Sequence, residues 1–162
     1  MELNSVVFDR QSIRLRGYDY SQPGAYFITI CTHQRQPLFG HITNGVMYRN
    51  TAGAAVDSIW NDLPNHYPGI VMGEHVVMPD HVHGIINIVR ELVGARFIAP
   101  NNDNGPINQA PTLGEIVRGF KARCTRVIQQ PVWQRNYYEH IIRDEMAYQK
   151  ITEYIRMNPQ NW

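Results

Sequence analysis

Residues 74–90 constrain the fold of this chain more than any other stretch, because they read as two paired strands joined by a turn. Valine and isoleucine on both sides favour extended structure, and the Pro-Asp pair at 79–80 favours a turn or bulge between the strands. The second strand begins with the triplet His81-Val82-His83. Since side chains alternate along a strand, the two imidazoles project from one face and the valine from the other.

A pair of neutral imidazoles on one sheet face suits a divalent cation. The remaining coordination positions of such a cation could hold water or a substrate oxygen. The alternative is that His81 and His83 line a polar sheet face without a metal, because short motifs also match by accident. The triplet is therefore compatible with a metal site, which would need further ligands from other residues.

Composition bounds the class of protein. At 162 residues with 43% hydrophobic content, we expect one domain, residues 1–162, with a sizeable core. No apolar window is long enough for a bilayer and residues 1–4 lack a secretion signal, so we expect a cytoplasmic protein without membrane contact. Cys31 and Cys124 form no close pair and are expected to be reduced core thiols. A net charge of +1 neither favours nor excludes nucleic acid.

The predicted elements follow a regular order: a strand over 25–32, a helix over 51–67 capped by Thr51, the paired strands within 74–90, a helix over 112–129, a strand or extended segment over 132–143 and a helix over 144–156. Pro64 is expected to truncate or kink the end of the first helix. The second helix opens with a Thr-x-x-Glu capping box. Six of these elements form the split βαβ repeat. We therefore predict an α+β, ferredoxin-like βαββαβ fold with an antiparallel sheet and one appended C-terminal helix.

Two consequences follow from this topology. The first and third strands are central, so the histidine pair lies in the middle of the sheet, facing outward or against the appended helix. Residues 94–111, rich in Asn, Gly and Pro, predict a flexible loop or insertion within the domain. Residues 47–48 are compatible with a short extension or a hairpin.

Several basic and aromatic side chains are candidates for contact with nucleic acid. Residues 10–20 alternate basic with apolar or aromatic side chains, which suits either an arm on an anionic polymer or a solvated strand. The charged face of the 112–129 helix is either solvated or in contact with phosphates. Aromatics in 132–143 either stack on bases or pack inside. The candidate DNA contacts are Arg14, Arg16, Arg118, Lys121, Arg123, Arg126, Trp133 and Arg135.

The appended helix carries Tyr154 and Asn158, which are four residues apart and share one face. If that face packs over the sheet, the amide oxygen of Asn158 can complete a ligand set with the histidine pair, and Tyr154 can attack a bound phosphate. A phenol with a pKa of about 10 is a poor nucleophile at neutral pH, so a cation beside it would help. The alternative is an amphipathic helix residue at 154 and a helix cap at 158.

Three segments carry a family resemblance: MPDHVHGI at 78–85, VWQRNYYEHIIR at 132–143 and YIRMNP at 154–159. Together and in this order, they resemble the REP-associated tyrosine transposases, which belong to the HUH single-tyrosine transposases. The likeness covers roughly residues 20–162, and three ordered motifs are more specific than any one of them.

The resemblance implies an enzyme that cleaves and rejoins single-stranded DNA near hairpins, with Mg²⁺ or Mn²⁺ and a covalent 5′-phosphotyrosine. It assigns His81, His83 and Asn158 as metal ligands and Tyr154 as the nucleophile. Single-stranded or hairpin DNA would be the partner, at the nucleoid, and whether two copies form a homodimer stays open. Two other functions remain: a catalytically inactive single-strand nucleic-acid binder on the same sheet, and a small metal-dependent hydrolase that leaves Tyr154 idle.

Overall fold

A computed structural model of the protein describes residues 18–20, 22–89 and 111–162. In chain order, the strands and helices are β1 (Gly24–Cys31), β2 (Gly40–Thr43), β3 (Val46–Arg49), α1 (Thr51–Asn61), α2 (Leu63–His66), β4 (Ile70–Val77), β5 (His81–Ile88), α3 (Leu113–Ile128), β6 (Tyr138–Ile142) and α4 (Glu145–Met157). Short 3₁₀ turns follow β1 at His33–Arg35 and α4 at Asn158–Asn161.

The main sheet has the strand order β4-β5-β1-β6, and each neighbouring pair is antiparallel. This order is that of the split βαβ repeat, so the predicted ferredoxin-like α+β fold is confirmed. β1 and β5 are central, as expected. Strands β2 and β3 form a separate two-stranded hairpin, which decides between the two possibilities for residues 47–48.

The sheet has two covered faces. Alternate residues of β1 and β5, such as Ile28 and Val82, are fully buried against α1 and α3, where Trp60 and Phe120 fill the larger core. The other face packs against α4 through a smaller cluster, whose buried members are Phe27, Ile85, Ile142 and Ile155. This period-two alternation puts each residue of a central strand into one layer or the other.

Gly84 directly follows His83 on β5. A Cβ atom there would meet the indole of Trp60 at 2.2 Å. Only glycine therefore permits Trp60 to rest on the backbone of β5, on the face opposite to the histidine pair.

The first helix has a different N-cap from the predicted one, and it is truncated near Pro64 as predicted. Asn50, and not Thr51, is the N-cap, because its side chain accepts a hydrogen bond from the backbone N–H of Gly53 at 2.9 Å. The helix stops at Asn61, and Pro64 lies in the first turn of the separate α2. A proline cannot supply the N–H that continues a helix, and its ring clashes with the preceding turn.

Other boundaries follow the prediction more closely. Thr112 and Glu115 form the capping box of α3. The turn at 79–80 is closed by the backbone N–H of Met78, which donates to the carbonyl of His81 at 2.8 Å. In the 132–143 segment, however, only Tyr138–Ile142 is a strand, and Trp133 makes an isolated bridge with Thr32. Of the two predicted possibilities for this segment, a strand or an extended stretch, its second half is therefore a strand and its first half is not.

The two cysteines are free thiols, as expected. Cys124 is buried, but Cys31 is only half-buried and accepts a hydrogen bond from Arg35 at 2.9 Å, so it is not a core thiol. Arg14, Arg16 and the predicted loop at 94–111, except its last residue, lie outside the described residues. Within the described ranges, each helix is too short or too polar to span a bilayer.

Candidate active site

His81 and His83 lie at the start of β5 and point toward α4. Both are buried, with 5% and 6% of their surface exposed. Their Nε2 atoms are 3.0 Å apart, so the two rings meet nitrogen to nitrogen. The predicted projection from one face is therefore confirmed, and of the two predicted locations the pair occupies the one against the appended helix.

The other nitrogen of each ring is held by a partner. Nδ1 of His81 donates to the carboxylate of Asp80 at 2.6 Å, and Nδ1 of His83 is 2.8 Å from the hydroxyl of Thr29. Arg35 donates to the second oxygen of Asp80 at 2.9 Å. Partners of this kind fix ring orientation and leave Nε2 available as a ligand.

Both imidazoles are held in the neutral form. Burial lowers the pKa of His81, although the neighbouring carboxylate of Asp80 opposes the shift. Burial, with His81 and then Arg35 as nearby charges, lowers the pKa of His83 to about 3. Neutral imidazole is the form that binds metals, so this site needs no deprotonation at neutral pH.

Helix α4 brings Tyr154 and Asn158 to the histidine pair. The helix docks through the fully buried Ile155, while Tyr154 remains half exposed. The hydroxyl of Tyr154 lies 3.5 Å from Nε2 of His83, and the side chain of Asn158 hydrogen-bonds His81. The spacing of four residues thus presents a phenol and an amide together, within one chain.

These residues fit a divalent cation by geometry and by donor type. Two Nε2 atoms 3.0 Å apart match adjacent ligands of an octahedron with bonds of about 2.1 Å. An amide oxygen beside two imidazoles makes a mixed N and O donor set that suits Mn²⁺ or Mg²⁺. Across the described ranges, no group of three or more His, Cys, Asp or Glu side chains forms a metal site. A site with three protein ligands would therefore have to include Asn158. Its role as a ligand stays a prediction.

The predicted DNA-contacting side chains on α3 divide into two groups. Arg118 and Arg126 are exposed. Lys121 instead donates to the backbone carbonyls of residues 134–136 at 2.7, 3.3 and 3.2 Å, and burial lowers its pKa to about 8. Arg123 forms an ion pair with Asp62 at 2.6 Å. The second group thus has partners inside the protein.

The predicted contacts outside α3 divide in the same way. Arg135 is exposed, whereas the ring of Trp133 packs against Phe39 and Phe120 at centroid distances of 5.3 and 5.6 Å. Arg118, Lys121 and Arg135 line a cavity of about 550 Å³ together with Tyr18, Tyr20 and Tyr137. DNA binding by each predicted residue remains a prediction.

Four residues of the site were absent from the sequence-based assignment: Thr29, Arg35, Asp80 and Trp162. Asp80 directly precedes His81, and this position is the one sequence signal that could have indicated it. Arg35 lies in a turn with a left-handed φ of 56°, and Thr29 faces His83 through the register of β1 with β5. Trp162 stacks on His81 with ring centroids 5.9 Å apart. No local sequence pattern indicates these last three contacts.

The fold, with the histidine pair and Tyr154 brought together, is the arrangement that the resemblance to the HUH single-tyrosine transposases predicted. A search of protein-family models gives no match. An uncharacterized protein of Haemophilus influenzae is 42% identical over 98% of this chain and 93% of its own length. The chain belongs to one family with that protein.

Two further relatives connect the chain to the transposases. A Haemophilus influenzae protein named "Putative REP-associated tyrosine transposase" is 25% identical over 87% of this chain and 73% of its own length. A solved structure described as the REP-associated tyrosine transposase bound to a REP hairpin shares the fold, with a TM-score of 0.63 and 21% identity over 91% of this chain and 73% of its own. The resemblance to the REP-associated tyrosine transposases, predicted from three motifs, is confirmed.

Proposed function

We propose that this protein is a metal-dependent endonuclease and strand-transferase for single-stranded DNA, with Tyr154 as its nucleophile. One observation carries the proposal: α4 places the hydroxyl of Tyr154 3.5 Å from Nε2 of His83, beside a second imidazole. A phenol next to two neutral imidazoles suits phosphoryl transfer to tyrosine better than the activation of water, which needs no such phenol.

Hairpin DNA is the proposed partner. A protein of the same fold is described as bound to a REP hairpin, and a sequence relative carries the REP-associated name. Because Tyr154, Asn158 and the histidine pair meet within one chain, we infer that one copy carries the full set of reacting groups. A homodimer would then not be needed to complete the site.

His81, His83 and Asn158 are the residues that would hold Mg²⁺ or Mn²⁺. When bound, such an ion would polarise a phosphate oxygen and offset the negative charge that develops in the transition state. The protein prepares for this in two ways. Burial lowers the pKa of both imidazoles, and Asp80 and Thr29 hold the rings in place.

The proposed reaction exchanges one phosphodiester for another. The oxygen of Tyr154 attacks phosphorus, the bond from phosphorus to the 3′ oxygen breaks, and the 5′ phosphate becomes esterified to tyrosine. The phenol proton passes to water, and the departing 3′ oxygen takes a proton from water. Attack by a 3′ hydroxyl then restores a phosphodiester and frees Tyr154. Half exposure of this side chain leaves it accessible to a strand.

Covalent capture tests the proposal. A single strand of DNA that contains a hairpin is labelled at the phosphate that would be transferred to tyrosine. It is incubated with the protein and Mn²⁺ or Mg²⁺. We expect label on the wild-type protein and none on Tyr154→Phe. Tyr148→Phe, on the same helix but bonded to Asn87, is the matched control and should retain the adduct. A shifted strand without cleavage would indicate the inactive binder, and cleavage without an adduct would indicate the hydrolase; either result would overturn the proposal.

A further inference from the structure

A row of aromatic and imidazole rings crosses the candidate active site. We call it the ring row; its members, in order, are Trp162, His81, His83, Tyr154, Phe27 and Tyr138. Successive ring centroids are 5.9, 4.4, 5.4, 6.1 and 6.4 Å apart. These distances are those of stacked or edge-on contacts, so the row is continuous.

The buried members of the ring row are His81, His83 and Phe27, each at most 8% exposed, whereas Tyr154 is 50%, Trp162 57% and Tyr138 41% exposed. In the order of the row, the two exposed end residues therefore lie on either side of Tyr154. Large aromatic rings gain more from burial than most side chains, so their exposure beside a reactive group favours a binding role.

Core packing does not account for the exposed end at Trp162. The chain's other two tryptophans are part of the packing of the fold. Trp60, in α1, is fully buried against β5, and Trp133 packs against Phe39 and Phe120. Trp162 uses one ring contact with His81 and leaves more than half of its surface in water. Its free surface can accept a second flat partner.

We propose that Trp162 and Tyr138 are stacking platforms for unpaired DNA bases on the two sides of the phosphate that faces Tyr154. The inference rests on the proposed function and deepens it, since it names the residues by which the site would select unpaired bases. An unpaired base exposes its π face, whereas a paired base inside a duplex presents only its edge. Stacking of this kind tolerates any sequence and discriminates single strand from duplex.

The charges beside the ring row allow a phosphate to approach. Asp80 contacts His81, but its carboxylate is also paired with Arg35 at 2.9 Å, which offsets the negative charge. A strand can therefore lie with its backbone over the histidine pair and its bases on the two outer rings.

Intrinsic fluorescence tests the platform at Trp162 directly. Since Trp60 and Trp133 are packed inside, added oligonucleotide should quench mainly Trp162. The probe is a twelve-nucleotide oligothymidylate in EDTA, so that no cleavage occurs. We expect quenching in the wild type and in Tyr154→Phe, and its loss in Trp162→Phe, whose affinity by anisotropy should stay near that of the wild type.

Affinity measurements test both platforms. Trp162→Leu and Tyr138→Leu keep apolar bulk but remove the flat ring, and each should weaken oligothymidylate binding about tenfold. The salt dependence of binding should keep its slope, because no phosphate contact is lost. Val127→Ala, an exposed apolar residue of α3 on the opposite face, is the matched control and should bind like the wild type.

Two results would overturn the stacking proposal: unchanged affinity in both leucine variants, or an equal loss of affinity for a duplex of the same sequence. Failure of the proposed function looks different. If oligothymidylate quenches Trp162 but no adduct forms with Mn²⁺, the platforms stand and the chemistry fails. If the adduct forms equally well in Trp162→Leu at limiting DNA, the chemistry stands and the platforms fail.

Discussion

The two faces of the sheet are built from different material. The face toward α1 and α3 holds a large apolar core around Trp60 and Phe120. The face toward α4 has a smaller apolar cluster, and beside it Asp80, His81 and His83 are buried polar groups. The same two central strands supply both faces by alternation.

The difference shows how the protein separates stability from chemistry. Burying polar groups is costly unless they are hydrogen-bonded, and a chain of contacts from Arg35 through Asp80 to His81 meets that requirement. Part of the α4 face is therefore occupied by polar groups of the site, which bury little apolar surface. The opposite face must supply most of the hydrophobic stabilisation. Four predictions probe this contrast.

The largest expected effect is on the apolar face. Phe120→Ala removes a fully buried ring that contacts Trp60 and Trp133, and should lower the free energy of unfolding by about 3–5 kcal/mol. Tyr154→Phe, on the α4 face, should change it by less than about 0.5 kcal/mol because only a half-exposed hydroxyl is lost. Urea denaturation measures both. Equal destabilisation by the two changes would contradict the contrast between the faces.

Acid should destabilise the protein through the α4 face. The folded-state pKa of His83 is lowered to about 3, below the ordinary value of 6.5, so the unfolded chain takes up a proton that the folded chain refuses. Stability from this residue is thus complete above pH 6.5 and falls as the pH drops toward 3, by about 2 kcal/mol between pH 6 and 4.5.

The matched variant for the acid prediction is His83→Leu, which keeps the volume without the titrating group. Denaturation curves at each pH give the difference between wild type and variant, so the titration of other groups cancels. We expect the variant to lose less stability on acidification. A parallel loss in both proteins would show that His83 does not carry the effect.

Asp80→Asn should weaken Mn²⁺ binding about 10- to 100-fold, because the charged partner that orients His81 is replaced by a neutral one. Calorimetry with the metal alone, without DNA, measures this. Asp57→Asn is the control: Asp57 also pairs with a histidine, His75, at 2.8 Å, but not one of the candidate metal ligands. If both variants bind Mn²⁺ as the wild type does, the positioning role of Asp80 is wrong.

The smallest expected effect concerns the docking of α4. Arg156 donates to Glu74 of β4 at 2.7 Å, and the arginine side chain is largely exposed. Glu74→Gln should therefore lower stability by only about 0.2–1 kcal/mol, and less at high salt. Hydrogen exchange within α4 would sharpen the comparison, because faster exchange there and not in α3 would assign the loss to one face.

The sequence was sufficient for the topology because hydrophobic period and turn residues are local signals. The alternation in β5 predicted that His81 and His83 share a face, and the four-residue spacing predicted that Tyr154 and Asn158 do. The truncation of the first helix near Pro64 was predicted for the same reason, because a proline interrupts the backbone hydrogen bonds even where the apolar stripe continues to Leu63.

The remainder of the site depends on distances between elements that no local pattern encodes. Thr29 meets His83 only because of the register between β1 and β5. The fate of each basic side chain on α3 also depends on its partners, since Lys121 has carbonyls nearby and Arg123 has Asp62. The sequence indicated a basic surface on α3. Only the packing of the folded chain decides which of these basic side chains pair with other groups of the protein.

Gly84 ties the two faces together at one point. With no side chain there, the indole of Trp60 rests on the same strand that carries both imidazoles. The indole of Trp60 therefore packs directly behind the histidine pair. The strand has little room to move away from a ligand that binds the imidazoles. A Cβ atom at this position would overlap the indole of Trp60, so the tryptophan or the strand would have to shift. The placement of the imidazoles therefore depends on the absence of a side chain at position 84.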